Sequence, residues 1–183
     1  MDTSFRHVRT KDAPILSDIY RPYVEETAIS FETEPPSATE FTARIEKIAS
    51  RYPWIVCECQ GQVVGYAYAS KHRDRAAYRW CVDVAVYLDQ NFHGRGLGRR
   101  LYERLISELR ELGYVNAFAG IAMPNEKSIG LHKSLGFEEV GTYRTAGYKL
   151  GRWHDVSWWQ LKLRECVTAP AEPRVKSHER TAE

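Results

Sequence analysis

A strand, a glycine-rich loop and a helix follow one another between Trp80 and Gly113, and this stretch restricts the possible folds more than any other. Residues 80–88 combine three valines with Trp, Tyr and Leu, as expected for a mostly buried strand of ordinary length. From Leu97 to Leu112 leucine recurs at helical spacing, and Gly113 stands where a C-terminal cap belongs. The sequence therefore predicts a strand, a tight loop and a helix in succession.

The loop is rich in glycine and is followed by two arginines, Arg99 and Arg100. A glycine-rich turn that opens a helix exposes backbone N–H groups at the positive end of the helix dipole, which suits an anion such as a phosphate. Spacing excludes a Walker loop, which needs Lys and Ser or Thr after the last glycine, and the dinucleotide fingerprint, which needs a glycine where Arg99 stands. Phosphate binding and an ordinary tight connection are both open, and the arginines favour the first. The candidate phosphate-binding residues are His93, Gly94, Arg95, Gly96, Leu97, Gly98 and Arg99.

Composition limits the class of protein. The chain has 183 residues, 43% hydrophobic and 27% charged, which is ordinary for one soluble globular domain. A net charge of +2 is too small to make nucleic acid an obligatory partner. We expect no membrane segment and no signal peptide, because no apolar run is long enough. The four cysteines form no CxxC pair, so we expect no metal site and a reduced, cytoplasmic location.

Local patterns divide the rest of the chain into a domain over residues 1–164 and a polar, proline-bearing tail over 165–183, which we expect to be mobile. The Gln60-Gly61 pair between two apolar runs predicts a hairpin over 54–70. Asn125 or Ser128 can cap a short helix. The patterns also predict helices from Ile15 to about Glu25 and around 41–48, and strands around 5–9, 114–122, 138–144 and 156–163.

Two irregular segments contain candidate binding residues. Residues 71–79 concentrate Arg73 and Arg75 near Tyr78, immediately before the organising strand. Such a run is usually a solvated basic loop, but guanidinium groups here could also clamp an anionic substrate through its carboxylate or phosphinate oxygens. Phe31 precedes the Pro35-Pro36 pair, which stops any helix. Its ring could point into a cleft or hold the loop down.

The order of these features resembles the GNAT superfamily of N-acetyltransferases, and more narrowly the phosphinothricin N-acetyltransferase family. This resemblance implies a single GNAT domain of α/β (α+β) class, with a central mixed, mostly antiparallel sheet flanked by helices. It also implies acetyl-CoA as co-substrate and a homodimer. The matching segments are SFETEPP (30–36), RYPWIV (51–56), AYRW (77–80), VYL (86–88), GLG (96–98), LHKSLGF (131–137) and GRWHDVSWWQL (151–161).

The resemblance also implies where acetyl-CoA binds. Val86, Tyr87 and Leu88 would pair with the pantetheine arm as an added strand, and Asn125 would contact the coenzyme. The loop from His93 to Arg99 would hold the pyrophosphate. His93 departs from the family, which usually has Gln or Arg at this position, but the phosphates are held mainly by backbone N–H groups.

Two residues are candidates for proton transfer. Acetyl transfer needs a neutral amine and a proton for the departing thiolate. Asp83 is the one acid within 80–88 and stands where the family usually has Glu, so it is the candidate general base, acting directly or through a water. A structural carboxylate paired with an arginine such as Arg75 is the alternative. His132 falls where much of the superfamily has a proton-donating tyrosine, so it is the candidate acid or second base. The reverse assignment stays open.

The acceptor predicted by this resemblance is a small acidic amino-acid analogue, namely L-phosphinothricin or methionine sulfoximine or sulfone, an activity associated with herbicide resistance. The resemblance implies that the residues lining its pocket are Phe31, Arg73, Arg75, Tyr78 and Tyr102. Two alternatives remain: an N-terminal acetyltransferase of proteins or peptides, and an acyl-CoA-binding module with weak catalysis, which the shorter Asp83 would favour.

Overall fold

A computed structural model describes residues 2–175 of the chain. It contains four α-helices, which are α1 Ala13–Glu25, α2 Ala38–Ala49, α3 Leu97–Leu112 and α4 Glu126–Ser134. Seven strands form one sheet, and they are β1 Thr3–His7, β2 Trp54–Cys59, β3 Gln62–Lys71, β4 Cys81–Leu88, β5 Asn116–Ala122, β6 Glu138–Lys149 and β7 Arg152–Lys162. Within the described residues, none of the helices has the length and apolar character that crossing a membrane would require.

The turn and cap chemistry explains several element boundaries. Gln60 and Gly61 both have positive φ (53° and 79°), which is the conformation of a tight hairpin turn between β2 and β3. Gly113 ends α3 in the left-handed conformation, with φ 97°. Ser37 begins α2 in a capping box with Glu40, in which each side chain accepts a hydrogen bond from the backbone N–H of the other residue.

The sheet has the order β1-β2-β3-β4-β5-β7-β6. Of the six pairs of neighbouring strands, β4 and β5 pair in parallel and the other five pairs are antiparallel. The mixed, mostly antiparallel sheet predicted from the sequence is confirmed. The parallel pair needs a crossover, and α3 supplies it.

Helices cover both faces of the sheet. On one face, α3 buries Leu101, Leu105 and Leu109 against a core that includes Val82 and Val84 of β4. On the other face, α1 and α2 pack on β2 and β3 around aromatic residues. Because side chains alternate along a strand, the neighbours of Val82 and Val84 point to the α1/α2 face, and Asp83 is one of them.

The β6–β7 hairpin is longer than the sequence indicated. The polar stretch after Arg144 continues as β6 to Lys149, and β7 begins at Arg152 rather than Val156. Pairing with β7 defines this extension, with register shifts between Glu139 and Gly141 and between Tyr143 and Gly147. A local pattern cannot show such pairing.

The described part of the proposed tail, residues 165–175, contains no helix or strand and lies against the domain. Trp80 Nε1 donates to the carbonyl of Ala171 at 2.8 Å, and Arg174 N–H donates to the carbonyl of Leu112 at 2.8 Å. Arg79 also pairs with Glu172. Residues 176–183 lie outside the described residues, and mobility of the tail stays a prediction.

Candidate active site

The site forms where β4 and β5 separate. These strands pair only from Cys81 to Asp83 on β4, opposite Asn116 to Phe118 on β5. Beyond Asp83, β4 keeps β3 as a neighbour as far as Leu88, while β5 continues along β7. A gap therefore opens in the middle of the sheet, directly after Asp83.

Two cavities meet at this gap. The larger, of about 590 Å³, is lined by residues that include Asp83 and the loop residues Phe31 and Glu32. The smaller, of about 70 Å³, is lined by residues that include Tyr102 of α3 and His132 of α4. Asp83 faces α1 and α2, whereas Tyr102 lies on the α3 side, so the two cavities contain polar side chains from opposite faces of the sheet. Both are lined by Ile29, Tyr87, Gly120 and Ala122.

Asp83 is tied to a histidine that the sequence analysis did not select. Nδ1 of His72 lies 2.6 Å from Oδ1 of Asp83, and the two side chains are 10% and 30% exposed, respectively. The His72 ring stacks on Phe118 with centroids 4.4 Å apart and planes 16° apart. Burial raises the pKa of Asp83 above its ordinary value, and the hydrogen bond and charge of His72, with the charge of Arg73, oppose this rise. The carboxylate is thus a stronger base than an exposed aspartate.

His132 is buried beside the smaller cavity, and its hydrogen bonds define its tautomer. Nδ1 lies 2.7 Å from the carbonyl oxygen of Ser128, so Nδ1 carries the proton. Nε2 lies 3.2 Å from the hydroxyl of Tyr102 and therefore accepts from it. Burial lowers the pKa of His132 and favours this neutral form.

The glycine loop leaves the first turn of α3 open. Gly94 and Gly96 both have φ 74°, a left-handed conformation that disfavours any residue with a Cβ. Gly96 caps α3 without a side-chain hydrogen bond, and the first turn contains no acidic residue. Arg95 and Arg99 add positive charge nearby. This end of a helix of 16 residues can therefore bind an anion such as a pyrophosphate.

The His93 side chain forms hydrogen bonds with residues outside this loop. Its Nε2 lies 2.9 Å from the hydroxyl of Tyr23 on α1, and that hydroxyl donates to the carbonyl of Leu88 at 2.6 Å. His93 thereby connects the loop to α1 and to the end of β4.

The main chain of β4 is available along the gap. Asp89 N–H donates to Val64 on the β3 side at 2.9 Å, and alternate residues of an antiparallel strand direct their N–H and C=O groups to the same neighbour. Those of Val86 and Leu88 therefore face the gap. The main-chain groups of Leu88 bond to the hydroxyl of Tyr23. Those of Val86 can therefore pair with the main chain of a bound extended molecule.

A network of hydrogen bonds holds the loop that walls the larger cavity. Arg44 makes two bonds of 2.7 Å to Glu32, and the hydroxyl of Tyr20 contacts both Ser30 (2.6 Å) and Glu32 (2.9 Å). Lys149 Nζ donates to the carbonyl of Ser30 at 2.6 Å. The Phe31 ring, 39% exposed, lies over Gly147 of β6, which has no side chain to obstruct it. The loop is thus held on both sides of Phe31.

The other candidates from the basic segment lie outside the larger cavity. The Arg73 guanidinium is 5.8 Å from the Trp158 ring, which lines that cavity. Tyr78 lies 5.9 Å from His72, ring to ring, and is exposed. Arg75 is exposed and immediately precedes a short 3-10 helix. Tyr102, expected in the acceptor pocket, lies instead with His132 at the smaller cavity.

Besides His72, the residues of the site that sequence reasoning missed include Tyr20, Glu32 and Trp158. His72 reaches Asp83 because the pairing of β3 with β4 places Ser70 opposite Asp83, and a local pattern does not show such pairing. No group of three or more His, Cys, Asp or Glu side chains in residues 2–175 is arranged to hold a metal ion.

Comparison with known proteins identifies the family. Residues 5–158 match the family model described as Acetyltransferase (GNAT) domain. The chain belongs to this family. A phosphinothricin N-acetyltransferase from Streptomyces viridochromogenes is 38% identical over 169 residues, which cover 92% of this chain and 90% of that protein. An L-methionine sulfoximine/L-methionine sulfone acetyltransferase from Salmonella typhimurium is 35% identical, covering 88% of this chain and 95% of that protein.

A solved structure agrees with the same assignment. The crystal structure of a GNAT superfamily phosphinothricin acetyltransferase from Sinorhizobium meliloti, in complex with AcCoA, is similar to this GNAT chain with a TM-score of 0.90. The two are 36% identical, and the match covers 94% of this chain and 95% of that one. The resemblance and the fold class predicted from the sequence are confirmed, and the protein is an acetyltransferase of the GNAT family.

Proposed function

We propose that this GNAT protein transfers the acetyl group of acetyl-CoA to the α-amine of a small acidic amino-acid analogue. L-phosphinothricin and methionine sulfoximine or sulfone are the first candidates. The observation that carries the proposal is the position of Asp83, a partly buried carboxylate in the wall of a 590 Å³ cavity, beside the opening between β4 and β5. The names of the relatives support the same acceptor class.

The residues around the gap fit acetyl-CoA, which would supply an activated acetyl thioester. The open N-terminus of α3, with Gly94 and Gly96, would hold the pyrophosphate through backbone N–H groups. The main chain of Val86 would pair with the amide-bearing arm, as in β-strand addition. Asn125, which lines the smaller cavity and caps α4, would contact the coenzyme from the β5 side.

Asp83 would act as the general base. An α-amine is largely protonated near neutral pH, and only its neutral form attacks a carbonyl carbon. The raised pKa of Asp83 brings this carboxylate closer to the operating pH, which improves proton removal, directly or through a water.

Tyr102 and His132 would transfer protons near the thioester of acetyl-CoA, where the thiolate leaves. In the resting state the Nε2 atom of His132 accepts a hydrogen bond and carries no proton, so this residue is better suited to take a proton than to give one. In the contact between the Tyr102 hydroxyl and Nε2 of His132, the hydroxyl bears the proton. Both line the smaller cavity, on the face opposite Asp83.

A side-by-side assay tests this function. Release of free coenzyme A thiol would be measured with L-phosphinothricin, methionine sulfoximine, methionine sulfone, free amino acids and short peptides as acceptors. We expect a strong preference for the first three and loss of turnover in Asp83→Asn, which keeps the size of the side chain and removes the base. Tyr102→Phe should lower kcat and leave the acceptor KM nearly unchanged.

Three outcomes would contradict parts of the proposal. Peptides acetylated as fast as the amino-acid analogues would replace it with an N-terminal acetyltransferase. Tight binding of acetyl-CoA without turnover of any amine would indicate a binding module. Full activity in Asp83→Asn would remove Asp83 from the mechanism and leave the acceptor class intact.

The proposal includes a cytoplasmic homodimer. Of the three tryptophans in the β7 segment, Trp159 is buried, Trp158 lines the larger cavity, and Trp153 is 61% exposed beside exposed Tyr148 on the β6–β7 hairpin. A second copy would cover this apolar surface. Light scattering should give twice the chain mass for the wild type and a lower mass for Trp153→Asp. A monomeric wild type would refute the dimer.

A further inference from the structure

We propose that His72 is the positioning residue of the general base: its Nδ1–H holds Oδ1 of Asp83, so that Oδ2 is turned to the acceptor amine. This inference rests on the proposed function, because it assigns His72 a role in the same proton transfer. It differs from a merely structural ion pair in predicting that loss of the His72 donor changes the pH dependence of the acceptor reaction.

The geometry supports this role through distance and restraint. The Nδ1–Oδ1 separation of 2.6 Å is short, as expected for a hydrogen bond to an ionised carboxylate. Among the described residues, no hydrogen bond to Oδ2 competes for that atom. One oxygen is therefore restrained and the other is available.

The His72 ring is itself held in place. It stacks on Phe118, the residue opposite Asp83 on β5, and its edge meets Tyr78 with centroids 5.9 Å apart. Trp158 completes the enclosure at 6.4 Å. The His72 side chain, directly after β3, is thus only 10% exposed and contacts both strands that border the gap.

Besides His72, the charged and titratable groups that interact with Asp83 are Arg73, Tyr68 and Cys81. Arg73 adds a positive charge, which favours the ionised form of Asp83. Tyr68 on β3 and Cys81 on β4 interact with Asp83, and burial raises the pKa of each, so both remain neutral in acid. His72 is the one of these partners that also hydrogen-bonds to Asp83, so its removal should move the pKa of Asp83 more than removal of Arg73 would.

Two variants of His72 distinguish the effect of its hydrogen-bond donor from the effect of its ring packing. His72→Asn keeps a nitrogen donor two bonds from Cβ, near the position of Nδ1, and removes the ring. His72→Phe keeps a planar ring to stack on Phe118 and removes the donor. The measurement is kcat/KM for the acceptor against pH, whose acid limb reports the pKa of the base in the free enzyme.

The two variants should behave differently. Losing a hydrogen bond to the charged form raises a carboxyl pKa, so in His72→Phe the acid limb moves to higher pH. Each unit of movement lowers kcat/KM about tenfold on that limb. In His72→Asn, which keeps the donor and loses the charge of the imidazole, the limb moves less than in His72→Phe. The acetyl-CoA KM and the melting temperature serve as controls for both.

Several results would overturn the inference. An unmoved limb in His72→Phe would do so, as would equal losses in the two variants, which would indicate a packing role. Disappearance of the limb in His72→Phe would mean that His72 itself is the titrating base. If His72→Phe does not fold, proton NMR of the wild type decides, because the inference predicts a downfield Nδ1 proton that is lost in Asp83→Asn.

Failure of the proposed function is distinguishable from failure of this inference. Asp83→Asn with full activity defeats the general base, whatever His72 does. Asp83→Asn without activity, combined with an unmoved limb in His72→Phe, keeps the base and rejects the positioning role.

Discussion

Replacing Gly147 with alanine should displace Phe31 and impair the acceptor site without touching the coenzyme site. A Cβ on Gly147 would lie 2.3, 2.6 and 2.7 Å from three carbons of the Phe31 ring. Ordinary contact begins at 3.4 Å, so the ring must retreat by at least 1.1 Å, the difference between 3.4 and 2.3 Å. Because the neighbouring Ser30 and Glu32 are both held by hydrogen bonds, the ring must rotate while the loop stays.

Gly147→Ala should weaken acceptor binding more than it lowers the free energy of unfolding. Overpacking a closed core costs about 1–3 kcal/mol, but this ring is partly exposed and can turn to solvent, so about 1 kcal/mol is expected. The ring lines the cavity, and a misplacement of about 1 Å in a binding site can reduce activity about 100-fold. We therefore expect kcat/KM for the acceptor to fall about 10- to 100-fold and KM for acetyl-CoA to change by less than about twofold.

A double-mutant cycle tests the cause. The assay is steady-state release of coenzyme A thiol for the wild type, Gly147→Ala, Phe31→Ala and the double variant. If the clash is responsible, Gly147→Ala should cost nothing further once Phe31 is alanine. Gly130→Ala, where a Cβ meets nothing within 4 Å, is the matched control and should be silent. The same loss in both backgrounds would refute the reasoning.

Two further predictions concern the coenzyme loop and the wall of the acceptor cavity. Gly96→Ala should raise KM for acetyl-CoA and cost about 1–2 kcal/mol of stability, because φ is +74° there; unchanged KM and melting temperature would contradict this. Hydrogen bonding by Arg44, against burial, holds the pKa of Glu32 below its ordinary value of 4.5. This stabilisation is full above pH 4.5 and is lost as pH falls through the folded pKa, so the melting temperatures of the wild type and Arg44→Met should converge in acid. A gap that stays constant from neutral to acid pH would contradict the linkage.

Local sequence patterns predicted what local interactions determine. The helix after the glycine loop, its cap at Gly113 and the turn at Gln60-Gly61 all depend on residues close in the chain, and all are observed. The alternation that placed Asp83 on one face of β4 also agrees with the structure, because Val82 and Val84 face α3. The pattern for β6 ended too early, since pairing with β7 rather than composition extends that strand.

The acceptor side depends on contacts between distant segments, and these a single sequence does not show. His72 and Asp83 are 11 positions apart and meet only because β3 and β4 pair in one register. Phe31 and Gly147 meet across more than a hundred residues. Arg73 and Arg75, conspicuous in the sequence, lie outside the larger cavity, whereas Glu32 and Trp158 line it.

One topological feature accounts for the location of the whole site. A parallel strand pair requires a crossover, so the single parallel pair of this sheet brings the N-terminus of α3 to the end of β4. The same pair separates after three residues, which exposes the β4 main chain and connects the two faces of the sheet. Asp83 is the last paired residue, so it stands at the edge of the opening. Because side chains alternate, a shift of one residue in β4 would turn its carboxylate to the α3 face, away from His72 and the larger cavity. The register of β3 with β4 is therefore as much a requirement of the proposed catalysis as the carboxylate itself.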